Sequence, residues 1–369
     1  MKKIQNNYIE KLRIDNSDYY EKLIQANEKL NSFKNPIIFY DDDGDGICSL
    51  LILLRNIGEV KDKHRTKSAI LQLNAYNLIE EKHDGIIILD KAGIDEEFLN
   101  KINKPIVWID HHPSKKIQHK NLFQFNSRHY GLNTHPTTHM LFDIFNVYND
   151  DLTEDLFWIC LIGTISDWTK CMFFNEVREV YLDLFNGEEE IDGILFNSKI
   201  GEISKMINLI LKLPSFQYLR ILDTLLKVNS LYDFFNTSNK EIKYIVDNYD
   251  IINFSYKNVI KKCIENKKDL SNEIILLKYD NTKYSFTSIM SNEFLYIFKN
   301  KTIILAKATP EYFNLSIRSH LKTLPPIVEK TIENLNAIGG GHESACGARV
   351  KVEQFHDFID NFVKYYDEA

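Results

Sequence analysis

The run Asp41-Asp42-Asp43-Gly44-Asp45-Gly46 follows the apolar segment Pro36-Ile37-Ile38-Phe39-Tyr40 without a spacer. So many adjacent carboxylates cannot be buried unpaired, because each loses its hydration and must take up a proton or recruit a cation. A divalent metal is the natural counter-charge. Alone, the run also fits a solvated acidic loop. It copies the first half of an EF-hand calcium loop too, but the bidentate Glu required at loop position twelve is replaced by Ile52, inside the apolar stretch 47–54 that reads as a buried helix. Calcium-loop chemistry is therefore disfavoured.

Short apolar runs at 37–40, 69–73, 86–89, 106–109 and 122–125 are separated by helical lengths and read as parallel strands of an α/β sheet. Asp90 follows the third run, and Asp110-His111-His112 closes the fourth. Loops at the carboxyl ends of such strands converge on one edge of the sheet, where ligands bind. Separate strands thus bring metal-type ligands together. Helical patterns cover about 17–33, 137–147 and 153–164, the last running into Gly163-Thr164-Ile165-Ser166-Asp167-Trp168. A mostly helical connector follows. Strand-like runs return at 274–277, 285–291, 302–307 and 312–316, ahead of Gly339-Gly340-Gly341, and mark a second α/β domain. The expected parts are an N-terminal helical segment (1–34), a catalytic domain (35–185), a helical connector (186–270) and a substrate-binding domain (271–369).

The chain has 369 residues, 44% of them apolar, which suits a globular protein of more than one domain. Its net charge of -7 argues against a general nucleic-acid coat but leaves room for a local basic groove. The five cysteines are scattered, odd in number and without a C-x-x-C pair, so neither a disulfide framework nor a thiolate zinc site is indicated. With no signal-peptide pattern and no membrane span, a cytoplasmic location is expected.

Carboxylates combined with imidazole suit Mn²⁺, with Mg²⁺, Co²⁺ or Zn²⁺ as alternatives. Two such ions a few ångströms apart serve in-line displacement at phosphorus, so phosphoester hydrolysis is the natural chemistry. No nucleophile elbow, P-loop or dinucleotide motif competes with it. Taken in order, Asp41 to Gly46, the lone Asp90, Ile109-Asp110-His111-His112 and Gly163-Thr164-Ile165-Ser166-Asp167 resemble the four motifs of the DHH phosphoesterases, the RecJ-like superfamily. Ile338-Gly339-Gly340-Gly341-His342-Glu343-Ser344-Ala345-Cys346-Gly347 resembles the glycine-rich motif of the DHH-associated C-terminal domain.

The resemblance implies an N-terminal DHH domain with a mostly parallel sheet flanked by helices, a helical connector and a smaller C-terminal α/β domain across a cleft. It implies two metal ions, with Asp90 bridging them, Asp45, His111 and Asp167 completing one site, and Asp41 and Asp43 holding the other. His112 would face the scissile phosphate, and Asp110 would orient an imidazole by accepting its other N–H. Pyrophosphatase-like and nanoRNase-like members carry a metal-binding His where this chain has Phe39, so Asp41 looks like the substitute ligand and points to the RecJ branch. In the second domain, Arg318 of Ser316-Ile317-Arg318-Ser319 would reach a substrate phosphate. Gly339, Gly340 and Gly341 allow close backbone approach to phosphate or ribose, and His342 adds a donor that can stack on a base. Arg128, His129 and His135 are candidate phosphate contacts. Trp108 and Trp158 are expected in the core, with Trp168 either core or a stacking surface. His64, His83, His119 and His356 are expected at the surface.

The expected activity is that of a Mn²⁺-dependent phosphodiesterase. It would be a RecJ-like exonuclease acting on single-stranded DNA, RNA or short oligonucleotides and releasing mononucleotides, with a replication or repair protein as a further partner. Polarity and the choice of DNA or RNA stay open. A nanoRNase that also acts on 3′-phosphoadenosine 5′-phosphate, a cyclic-dinucleotide phosphodiesterase and a non-catalytic module binding nucleic acid or a partner are the alternatives.

Overall fold

The structure is a computed structural model that describes residues 3–5, 8–148 and 151–369, with side chains given outside 3–5, 151–154 and His342. The chain divides into two compact units, residues 1–249 and 250–369.

The first unit opens with α1 (Tyr8–Asp15) and α2 (Ser17–Ser32). In α2, Tyr19, Leu23, Ala26 and Leu30 recur at helical spacing and are the residues it buries. Next come β1 (Ile37–Asp41), α3 (Gly44–Ile57), β2 (Lys63–Thr66), β3 (Ile86–Leu89), β4 (Ile106–Asp110) and β5 (Leu122–Asn126). The strands form one five-stranded sheet in the order β2-β1-β3-β4-β5, with every pairing parallel. The Ile-rich β3 lies at its centre and is fully buried, as a strand covered on both faces must be. Helices α4 (Thr137–Asn146) and α5 (Glu154–Ser166) follow, and both pack against α3. Trp108 and Trp158 are in the core.

Within the first sheet, two features depart from the sequence reading. The run at 69–73 does not join the main sheet; Ile70–Leu71 pairs instead with Gly93–Ile94 in a separate small ladder. The edge position is taken by β2, whose Lys-His-Arg-Thr sequence carries no apolar run. An edge strand needs backbone pairing on one side only and can keep its side chains half-buried, so hydrophobicity does not mark it.

The stretch expected as a connector is helical, with Lys199–Ile210, Ser215–Leu225 and Lys240–Glu265 as its main helices, and its part up to Tyr249 belongs to the first unit. The second unit contains β6 (Ile274–Tyr279), α6 (Thr287–Ile297), β7 (Thr302–Ala308), β8 (Tyr312–Arg318), α7 (Leu324–Ile332), β9 (Ala337–His342), β10 (Ala345–Lys351) and α8 (Phe355–Glu368). Its sheet runs β6-β7-β8-β10-β9 beyond a short outer strand at Lys268–Asp269, and only the β6–β7 pairing is parallel. Ile304, Ile317, Val328, Phe358 and Phe362 form part of its core. The run 285–291, expected as a strand, lies mostly in α6. There Met290, Ser291 and Phe294 face inward at helical spacing, which overrides the β-propensity of the isolated segment.

Among the described residues, no helix is long and apolar enough to cross a membrane. All five cysteines are free and buried.

Candidate metal centre

Strand register builds this site. Tyr40, Leu89, Ile109 and Phe125 lie in one row across β1, β3, β4 and β5, so the next residues, Asp41, Asp90, Asp110 and Asn126, emerge together at the carboxyl edge. Asp90 has φ 58°, a left-handed conformation that Asp tolerates better than most side chains. The turn leaves its carboxylate buried, with Oδ1 3.4 Å from His111 Nε2 and accepting the Thr137 hydroxyl at 3.2 Å. Asp90 Oδ2 is buried without a partner. His111 Nε2 is also 3.8 Å from Asp45 Oδ2, and its Nδ1 is 3.6 Å from Asp167 Oδ2. Asp45, Asp90, His111 and Asp167 therefore converge.

Two helix N-termini hold this group. Asp43 caps α3, its Oδ1 accepting the Gly46 N–H at 2.9 Å. A Cβ on Gly46 would lie 2.6 Å from the Asp41 carbonyl oxygen, so only glycine lets the helix start so close to the strand end. At α4, the N–H groups of Thr137 and Thr138 donate to Asp45 Oδ2 and Oδ1 at 2.9 and 2.8 Å. The positive end of that helix faces the carboxylate.

Asp110 is fully buried and holds His112. It accepts the His112 N–H at 3.0 Å and takes Nδ1 at 2.8 Å, while Asn126 Nδ2 donates to it at 3.0 Å. The His112 Nε2 end is thereby turned away from Asp110. His112 Nδ1 also lies 3.9 Å from Asp90 Oδ1. Arg128 sits nearby with Nε donating to the His111 carbonyl at 2.6 Å.

A second donor group combines Asp41, Asp43 and Asp90, with ligand atoms all within 4.8 Å of one another. Here the structure adds a residue that sequence reasoning did not single out. Lys91 is fully buried, and its ammonium donates to Asp41 Oδ1 at 2.5 Å and to the Thr66 carbonyl at 3.1 Å. Asp42 belongs to neither donor group; it pairs with Arg65 at 3.1 Å and Lys212 at 3.6 Å. Thr137, Thr138 and Asn126 were likewise not singled out. Nothing in their residue types marks them; their places follow from helix and strand ends meeting in space.

The electrostatics match a site built for cations. Burial first, and then the charges of Asp41, Asp110 and Asp167, outweigh His112 and push Asp90 up to about 7. Burial and the Asp90 charge hold Asp45 well above the usual carboxylate range, against the pull of His111. For His112, burial alone would lower the pKa, but the Asp110 hydrogen bond and the Asp90, Asp110 and Asp167 charges raise it to about 10.

Other expected residues lie elsewhere. In the second unit, Arg318 is half-buried, with Nε donating to Asn292 Oδ1 at 2.8 Å and Nη1 to the Ile317 carbonyl at 3.0 Å. Ser319 is buried, its hydroxyl 2.7 Å from Thr302 Oγ1 and accepting from the Leu321 N–H at 3.1 Å. Gly339, Gly340 and Gly341 lie in the edge strand β9, where Gly340 and Gly341 adopt φ of 157° and 155°. The His342 side chain lies outside the described side chains. His129 Nε2 meets the Ser114 carbonyl at 2.9 Å, whereas His135 is buried and belongs to a different cluster. His83, expected at the surface, is 1% exposed, with Nε2 3.0 Å from Asp62 Oδ2. That partner satisfies the ring and lets it be buried.

The first unit is thus a parallel α/β sheet with carboxylates and imidazoles gathered at its strand ends. Residues 36–164 match the DHH family, N-terminal domain. No curated protein matches the sequence. Among solved structures, the chain is similar to RecJ of Thermus thermophilus in complex with Mn²⁺, with TM-score 0.69 and 15% identity over 96% of this chain and 55% of that one. The chain thus spans 55% of that protein's described length. It is also similar to an exonuclease RecJ bound to manganese, with TM-score 0.61 and 16% identity over 95% of this chain and 94% of that one. A third likeness is to the pGpG-specific phosphodiesterase PggH of Vibrio cholerae, with TM-score 0.51 and 11% identity over 91% of this chain and all (100%) of that one.

Proposed function

We propose that the strand-end cluster is the active site of a metal-dependent phosphodiesterase. Its substrate would be single-stranded nucleic acid or short oligonucleotides, cleaved from an end to release mononucleotides. The observation that carries this reading is the convergence of Asp45, Asp90 and Asp167 on His111, beside a second Asp90 oxygen, Oδ2, that is buried without a hydrogen-bond partner. An isolated buried carboxylate oxygen is unfavourable, and a cation removes the penalty.

These oxygen and imidazole donors fit Mn²⁺, with Mg²⁺ or Co²⁺ as neighbours in hardness. Asp45, Asp90, His111 and Asp167 would hold one ion, and Asp41, Asp43 and Asp90 a second. Bound there, the metal would lower the pKa of an attacking water and stabilise charge on the phosphate oxygens. The chain's own residues position the substrate. Asp110 and Asn126 fix the His112 ring so that Nε2 presents a proton to a phosphate oxygen. Arg128 is assigned to a flanking phosphate. In the second unit, Arg318, Ser319 and the backbone of Gly339, Gly340 and Gly341 are assigned to nucleotide contacts, with His342 as a further donor.

The likeness to the manganese-bound exonuclease RecJ supports the nuclease reading, and the likeness to the pGpG-specific phosphodiesterase PggH supports hydrolysis of a dinucleotide as a second one. End-labelled single-stranded DNA, single-stranded RNA and linear dinucleotides, each incubated with Mn²⁺, separate the two. Stepwise release of mononucleotides from the longer strands supports the first, and cleavage confined to dinucleotides supports the second. Equal inertness of wild type and His111→Ala on all substrates would remove both.

A further inference from the structure

The two donor groups at the strand ends differ in what neutralises their carboxylates. Among the described residues, the ion pairs of Asp45, Asp90 and Asp167 are with His111 and His112 and include no Lys or Arg. Asp41, in the other group, carries a lysine. Lys91 follows Asp90 at the end of β3, and its ammonium donates both to Asp41 Oδ1 at the end of β1, at 2.5 Å, and to the Thr66 carbonyl at the end of β2, at 3.1 Å. It therefore spans three adjacent strand ends.

That charge is fixed in place. Lys91 is fully buried, and Trp108 Nε1 donates to its carbonyl at 2.9 Å, which holds the backbone from which the side chain extends. An ammonium that left these two acceptors would lose what compensates its burial, so it stays. Asp41 is also one of the three carboxylates, with Asp43 and Asp90, whose ligand atoms lie within 4.8 Å of one another. An ion in that group would sit one carboxylate away from a permanent positive charge, and like charges a few ångströms apart at a partly buried site repel strongly. No lysine or arginine weakens the other group in this way.

We propose that Lys91 limits the free protein to one tightly held metal ion, at Asp45, Asp90, His111 and Asp167, and leaves the second position to fill only at higher metal concentration. Being buried, Lys91 touches no substrate and acts as a positioning charge. Its effect is regulatory. Hydrolysis rises with a second, weaker binding event and so follows the level of free Mn²⁺. This inference rests on the strand-end cluster being the metal centre proposed above.

The full chain, stripped with chelator, is titrated with Mn²⁺ by calorimetry and followed by electron paramagnetic resonance, in which two Mn²⁺ ions sharing a carboxylate show exchange coupling. Wild type should bind one ion with an uncoupled signal, the second binding more than about tenfold more weakly. Lys91→Met and Lys91→Gln remove the charge and keep the length of the side chain. Each should bind two ions with similar affinity, show the coupled signal, and lower the Mn²⁺ concentration for half-maximal hydrolysis by more than about tenfold. Adding Asp41→Asn to Lys91→Met should remove the second ion again. If a Lys91 variant fails to fold, the stoichiometry of wild type decides by itself. Two ions of equal affinity in wild type, a second affinity unchanged in the neutral variants, or a second ion that survives Asp41→Asn would overturn the inference while leaving the metal centre in place. Wild type that binds no Mn²⁺ would remove both.

Discussion

At the scale of single residues, Asp90 and its neighbour Lys91 do opposite things. Asp90 enters the cluster through a left-handed backbone turn, a conformation that Asn also tolerates. Asp90→Asn is therefore expected to fold like wild type, with an unchanged Tm, and to lose more than about 100-fold in hydrolysis. Asp90→Ala should in addition lower stability by about 1 kcal/mol, because Ala lacks the local hydrogen bonding that eases this backbone. Denaturant titration of both variants checks the difference. Lys91 places a fixed ammonium on Asp41 and so competes with any metal for that carboxylate. Lys91→Met, of similar size and apolar, should tighten Mn²⁺ binding at the group formed by Asp41, Asp43 and Asp90. A calorimetric isotherm identical to wild type would show that the ammonium does not compete. The sequence marked Asp41 as a candidate metal ligand but gave no sign of its lysine partner, because buried lysines are rare and nothing local announces one.

At the scale of elements, the contact between α3 and the end of β1 depends on Gly46. Gly46→Ala forces the helix away from the Asp41 carbonyl, with an expected loss of about 1–3 kcal/mol in stability and weaker Mn²⁺ binding. Thermal melting with and without Mn²⁺ reads both effects. Near β2, hydrogen bonds from His83 and Lys82 hold Asp62 down to about 2. A carboxylate with a lowered folded-state pKa contributes stability that is present above its ordinary value of about 4 and is lost as pH falls through about 2. Asp62→Asn should flatten the fall in stability across that window. An acid-side slope equal to wild type would contradict the assignment. The central strands were legible because burial on both faces demands continuous Ile, Val and Leu. The polar edge strand Lys63–Thr66 was hidden for the converse reason, and the helix from Thr287 was misread because β-branched and aromatic residues also suit a buried helical face. His83 was misplaced because Asp62, its partner, is distant in sequence.

At the scale of the whole molecule, the acids and histidines of the centre come from strand and helix ends spread between Asp41 and Asp167, and the parallel register gathers most of them. Motif order made that gathering legible. What the motifs did not show was the support: Thr137 and Thr138 on Asp45, Asn126 on Asp110, and the buried histidine cluster behind α4. Such roles arise only when elements remote in sequence meet. The second unit carries a glycine-rich edge strand and a half-buried arginine, the residues proposed for nucleotide contacts. The central claim, that the strand-end cluster is a metal-dependent phosphodiester-cleaving centre, is tested most directly by one measurement. Hydrolysis of end-labelled single-stranded DNA, RNA and dinucleotides is followed for wild type and Asp90→Asn, each with Mn²⁺ and with excess chelator. The account predicts cleavage by wild type with Mn²⁺, none with chelator, and a more than about 100-fold loss in Asp90→Asn. Equal rates in wild type and Asp90→Asn, or cleavage that persists in chelator, would contradict it.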